Sequence, residues 1–228
     1  MAVQNESRQN TNEVEMNVDE KAPFFVFMNV VITLTHILIG AIAFNAIFFA
    51  NLFQIRSSFQ QHIYLCVIGY ILLMSQAVLS MNPYASWAKV LSYENKKMIH
   101  WLMQILGSVL AIAGSIVKLA DRNTNFRSAH GILGLVAMLF TIASLISGIV
   151  NLFSMNFSNN INMIKIGHSV LGALALSTAY LSLCFGFHDV YRVVYGNNNA
   201  NLSINFTVVT LIGVLTSTCI NTVRRIVP

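Results

Sequence analysis

Six histidines carry most of the chemistry this sequence could do, and four of them stand in a register. His62, His100, His130 and His168 each lie just inside the first end of a different long apolar stretch. Neutral imidazole is the commonest protein ligand of transition metals and the one side chain that changes charge near neutral pH. Other chemistry is sparse. Cys66, Cys184 and Cys219 fall inside apolar stretches, with no metal-site spacing and no loop cysteine to form a disulfide, so they read as small packing residues. Of the eight acids, Glu6, Glu13, Glu15, Asp19 and Glu20 lie in the first twenty residues, leaving only Glu94, Asp121 and Asp189 beyond Lys21. That scarcity excludes a carboxylate hydrolase and a pump with an acidic relay inside a membrane.

The elements that must position the histidines follow from charge spacing. Of the 228 residues, 56% are hydrophobic and 9% charged, against about 25% charged in a soluble domain. The mean hydropathy of +0.66 points the same way. No charge occurs between Lys21 and Arg56, Arg56 and Lys89, Lys97 and Lys118, Arg127 and Lys165, Lys165 and Asp189, or Arg192 and Arg224. Each interval can supply the roughly 20 residues with which a helix crosses about 30 Å of hydrocarbon. Six transmembrane helices are expected, near 24–49, 59–80, 98–118, 129–150, 166–188 and 203–223, in an all-α polytopic membrane protein. The segment 151–164, with five Asn, reads as a loop. Residues 1–22 read as a disordered polar tail without a signal peptide, and 23–228 as one transmembrane domain. The formal charge of +5 is scattered between apolar runs, so no basic stripe for nucleic acid exists. No Gly-rich dinucleotide fingerprint follows a strand.

Consecutive helices joined by short loops run antiparallel, so the second and fourth helices start at one face and the third and fifth at the other. His62 is then expected to meet His130, and His100 to meet His168, within a central four-helix bundle. Two imidazoles facing each other across a bundle are the axial ligands of a b-type haem, and two such pairs imply two haem b groups. Fourteen residues is nearly four turns, so about 21 Å deeper on each histidine's face stand Gln76, Gly114, Ser144 and Ser182. Three of the four are small, which would leave room for the other macrocycle. Gly69 and Gly107 follow their histidines by seven residues, Gly134 and Gly172 by four. His36, mid-span, reads as a neutral hydrogen-bonded core residue and His188 as an interfacial one. A competing reading is a haem-free transporter or channel that uses the histidines for a metal or protons. It requires them to converge on one midplane site with an acidic partner, and no acid lies within the spans.

With six spans both termini share a side, and eight Lys/Arg on that side against five opposite place both in the cytosol. His100 and His168 then face the cytosolic side, and His62 and His130 the other. Lys96 and Lys165 lie four and three residues before His100 and His168, where they can meet an anionic donor or haem propionates; Arg127 is their counterpart before His130.

The segments QQHIYLCVIGYILLMSQ around His62, KKMIHWLMQILG around His100, SAHGILGLVAM around His130 and IGHSVLGALAL around His168 resemble the cytochrome b561 family, in its short six-helix subgroup, over about 24–225. The resemblance implies two haem b groups and transmembrane electron transfer, with no catalytic residues beyond the haems. Cytosolic ascorbate would be the donor, and monodehydroascorbate or a ferric chelate the acceptor. It implies an endomembrane (endoplasmic reticulum or vesicle) or plasma-membrane location in a lipid bilayer, and is compatible with a homodimer. The family's ascorbate-recycling members carry arginine at the cytosolic end of the second helix, where this chain reads SQAVLSMNPY.

Overall fold

The computed structural model describes residues 2–52, 57–82, 90–121, 127–153 and 161–226, with most side chains from Ala22 onwards. The polar tail expected over 1–22 falls almost wholly outside those side chains. The protein is all-α and polytopic. Its helices are α1 (Ala2–Leu52), α2 (Ser57–Ser80), α3 (Tyr93–Ala120), α4 (Ala129–Phe153), α5 (Ile161–Gly186) and α6 (Arg192–Ile226), with a π-helical stretch, Phe187–Tyr191, joining the last two.

Several boundaries differ from expectation: α1 is helical from Ala2, through the tail expected to be disordered, and α6 starts at Arg192, ahead of 203. α3 begins five residues before 98, because Ser92 accepts a hydrogen bond from the Asn95 N–H at 3.2 Å and Glu94 sits in the first turn, favourable partners for a helix N-terminus. α4 continues to Phe153 and α5 starts at Ile161, so the expected loop 151–164 is helical at both ends; residues 154–160 lie outside the described set. Between the fifth and sixth spans the backbone stays helical and breaks only at Gly196, whose φ of 80° favours glycine. Five stretches are long and apolar enough to span a membrane, the last running over 59 residues from Asn162 to Ile220. Asn45 of α1 bonds to both sides of the Gly196 break, accepting from the Tyr191 hydroxyl at its carbonyl (2.9 Å) and donating to Ser203 (3.0 Å). A straight helix would set residues 191 and 203 about 18 Å apart. The chain therefore folds back at Gly196, and the run contains two crossings.

α2 to α5 form the central bundle, built from two antiparallel hairpins, α2–α3 and α4–α5, with α1 and α6 packed on each other and against its side. Buried hydroxyls tie the hairpins together. Thr141 of α4 lies 3.2 Å from the Tyr70 hydroxyl, and Ser75 of α2 lies 2.8 Å from that of Tyr180, which is wholly buried. α2 is not regular. Over Val67–Met74 it widens to π geometry, with Ser75 Oγ donating to the Tyr70 carbonyl five residues back. Such a wide turn holds one extra residue and advances everything beyond it by one position.

Candidate functional site

The four registered histidines meet in two pairs. The ring centres of His62 and His130 are 5.9 Å apart and those of His100 and His168 6.3 Å apart, with ring planes at 85° in both pairs. Each pair draws one ring from each hairpin. The antiparallel argument therefore holds at the level of geometry, and the histidines do not converge on a single centre.

The outward edge of each ring is held in the same way. Nδ1 of His62 meets the Gly114 carbonyl at 2.9 Å, that of His100 the Ala77 carbonyl at 2.8 Å, and that of His130 the Ser182 carbonyl at 2.8 Å. A carbonyl only accepts, so all three rings carry their hydrogen on Nδ1 and a lone pair on Nε2. His168 bonds to the Ser144 backbone, and its Nδ1 lies 3.0 Å from Ser147 Oγ. The Ser147 hydroxyl donates its single hydrogen to the Ser144 carbonyl at 2.8 Å, so Oγ accepts from His168 and the same tautomer follows. Fixing the second nitrogen to a carbonyl is the usual support of a metal-bound histidine.

These contacts revise the reading of the positions fourteen residues on. Gly114, Ser144 and Ser182 each back a histidine of the neighbouring helix, and their part is hydrogen bonding as well as small size. In α2 the position falls at Ala77 instead of Gln76, one residue later, as the π stretch requires. Gln76 is turned to His36, with which it is hydrogen-bonded. His36 keeps Nε2 buried with no partner among the described residues, so it is the core histidine expected but only half satisfied. His188 is exposed, 3.2 Å from Asp189 and 3.4 Å from Arg192, as an interfacial residue.

A cavity of about 420 Å³ adjoins His62 and His130. Val67, Ile71, Leu135, Met138 and Leu183 make its walls apolar, and Lys118 and Arg127 bring two positive charges to its lining against the one negative charge of Asp189. Arg127 is the site residue expected at this face. Lys118 is expected on the same side by the charge count but not as a site residue: it lies eighteen residues beyond His100, paired with Asp121 at 3.6 Å and 4.7 Å above the Phe59 ring, and no one-turn spacing marks it. Lys96 and Lys165 are half-buried on α3 and α5, one turn before His100 and His168. Cys66, Cys184 and Cys219 are free thiols; Cys66 Sγ lies 3.5 Å from His62 Nδ1.

A metal–imidazole bond is about 2.0 Å long, so one iron between two rings would set their centres about 6 Å apart, which both pairs satisfy. Among the described residues no three His, Cys, Asp or Glu side chains gather. A haem needs only two protein ligands, since the macrocycle supplies four nitrogens, and its apolar plate with anionic propionates matches the walls and the Lys118 and Arg127 cations of the cavity beside His62 and His130. The residues therefore fit the group. Paired imidazoles in a membrane bundle are the arrangement with which a transmembrane cytochrome holds haem. The model of the eukaryotic cytochrome b561 family matches residues 61–193, more than half the chain and all four histidines, and the protein belongs to that family. No curated protein and no solved structure matches it. It is thus a transmembrane haem-based oxidoreductase, of a family that binds haem b.

Proposed function

We propose that the protein binds two haem b groups, one between His100 and His168 near the cytosolic face and one between His62 and His130 near the opposite face. Electrons then pass from cytosolic ascorbate to monodehydroascorbate or a ferric chelate across the membrane, with both termini in the cytosol. The observation that carries this reading is the pairing itself: two couples of imidazoles about 6 Å apart, every Nδ1 engaged and every lone pair on Nε2.

His62 with His130 and His100 with His168 would hold the haems, which would supply one-electron, outer-sphere chemistry when bound. The protein's part is to hold and insulate. The carbonyl and hydroxyl acceptors fix the tautomer and plane of each ring and raise its basicity. Apolar walls around His62 and His130 exclude water and lower the local dielectric. Lys118 and Arg127 stand where propionates or an anionic acceptor would need positive charge. Lys96 and Lys165 occupy the corresponding end of the other hairpin helices, where they steer an anionic donor. Residues 1–22 serve as a polar extension outside the 23–228 transmembrane unit.

An oxidised-minus-reduced visible spectrum of the purified protein tests the reading, followed by haem stoichiometry and reduction by ascorbate. Low-spin haem bands at two haems per chain, reduced by ascorbate, are expected. A haem-free protein that still moves a metal or protons would overturn it in favour of a histidine transporter. A glycan on Asn156 would reverse the orientation and exchange the two faces.

A further inference from the structure

The hairpin α4–α5 carries a repeat that the ligand pattern alone does not require. Fourteen residues after His130 the chain reads Ser144-Leu145-Ile146-Ser147-Gly148, and fourteen after His168 it reads Ser182-Leu183-Cys184-Phe185-Gly186. Both have the form Ser-Leu-x-x-Gly, and Ser and Gly four apart share one helix face. Each copy lies against the histidine of the other helix. His130 rests on Ser182 and Gly186, and His168 on Ser144 and Gly148.

The glycines touch the same edge of each ring. A Cβ at Gly148 would stand 3.1 Å from His168 Cε1 and 3.6 Å from its Nδ1; at Gly186 it would stand 3.2 Å from His130 Nδ1 and 3.3 Å from Cε1. Ring atoms held at that distance by hydrogen-bonded neighbours have to give way. Neither glycine has positive φ, so backbone freedom does not account for it. The other hairpin has no such feature: one turn beyond Gly114 stands Lys118, and one turn beyond Ala77 stands Met81. Resting on the assignment of these histidines as haem ligands, we infer that each Ser-Leu-x-x-Gly segment is an imidazole seat, in which the serine carbonyl takes the Nδ1 hydrogen and the glycine lets the ring lie flush. Gly148 and Gly186 are positioning residues that set the planes of His168 and His130 against their partners, and with them the properties of one haem each.

The test uses purified holoprotein variants Gly148→Ala and Gly186→Ala, with Gly40→Ala and Gly167→Ala as controls, since a Cβ at either control meets nothing within 4 Å. Ala is the better helix former, so helix content is preserved. Haem stoichiometry, the low-spin electron paramagnetic resonance signal and a redox titration are read for each. Gly148→Ala should shift the g-value and midpoint potential of the haem that His168→Ala removes, and leave the other haem unchanged. Gly186→Ala should do the reverse, and both controls should match the parent. Outright loss of that one haem in either seat variant, with the other retained, also supports the seat. Signals indistinguishable from Gly40→Ala overturn it, as does equal disturbance of both haems or loss of both with unfolding. If His168→Ala itself leaves both haems in place, the ligand assignment fails instead.

Discussion

The hairpins α2–α3 and α4–α5 each contribute one ring to each histidine pair and seat it on backbone carbonyls, yet their own two helices pack together by different means. In α2–α3 the acceptors are backbone carbonyls of Gly114 and Ala77, and the helices touch backbone to backbone: a Cβ on Gly69 would lie 2.6 Å from the Gly107 oxygen and 2.7 Å from the Ala111 nitrogen. In α4–α5 serine hydroxyls stand between the helices. A Cβ on Gly134 would lie 3.4 Å from Ser182 Oγ, and one on Gly172 3.5 Å from Ser144 Oγ, which are ordinary contacts. Apolar area gives no net drive for helices to associate in lipid, so close packing and interhelical hydrogen bonds must do it. The two hairpins show those two solutions side by side. One uses glycine for approach, the other serine for bonding, and a common site geometry results.

The largest effects should come from the ligands, one per hairpin in each pair. His62→Ala and His130→Ala should lose or alter the same haem, and His100→Ala and His168→Ala the other. Within a pair the double variant should resemble either single, since both act on one group. The variant His62→Ala with His100→Ala, both changes in one hairpin, should damage both haems and abolish transmembrane electron transfer. Haem stoichiometry with redox titration reads this directly; a single haem perturbed by both His62→Ala and His100→Ala would break the pairing.

Next in size is packing. Gly69→Ala forces backbone atoms apart and should destabilise the folded protein by about 1–3 kcal/mol. Gly172→Ala meets only ordinary contact and should be neutral or stabilising by up to about 1 kcal/mol through helix propensity. Thermal unfolding in detergent compares them, and equal losses would erase the distinction between the hairpins.

Lys96 and Lys165 give each hairpin one cation on the same side. Replacing both with Gln should slow reduction by ascorbate and flatten its dependence on ionic strength, since salt screens Coulomb steering, while haem content stays near normal. Stopped-flow reduction at several salt concentrations checks it; unchanged rates would leave both lysines as membrane anchors.

The smallest effect separates the two kinds of acceptor. Ser147→Ala removes a side-chain acceptor from His168 but leaves the Ser144 backbone bond, a change of about 0.5–1.5 kcal/mol. With less charge pushed onto the ring, the midpoint potential of that haem should rise by no more than about 60 mV, a tenfold change for one electron. His62 and His100 bond to carbonyls that no substitution deletes. A fall in potential, or a shift at the other haem, would contradict the hydrogen-bond geometry at His168.

Much of this was readable from residues alone, and for identifiable reasons. The charge-free intervals fix the helices because hydrocarbon thickness sets a minimum length for each crossing. The pairing of His62 with His130 and of His100 with His168 follows from the parity of antiparallel helices. Gly114, Ser144 and Ser182 were singled out by counting turns, although the hydrogen bonds they make were not foreseen. In the sequence Lys118 is only one of five cations on its side, because eighteen residues from His100 no one-turn spacing ties it to a histidine pair. The glycines of the two seats were missed because only their contact with the neighbouring helix's ring distinguishes them.

Composition and spacing thus determined a membrane bundle with two histidine couples, since chain length against bilayer thickness and helix parity depend on sequence position only. The tertiary structure alone decided that Ala77 and not Gln76 backs His100, because the π turn in α2 inserts one residue into the register. It also decided that Asn45 clasps the fold-back at Gly196, that Lys118 joins Arg127 at the cavity beside His62 and His130, and that the rings cross at 85°. Each of these depends on how neighbouring helices rotate and tilt against one another, which the packing of side chains from different parts of the chain sets and no single stretch of sequence contains.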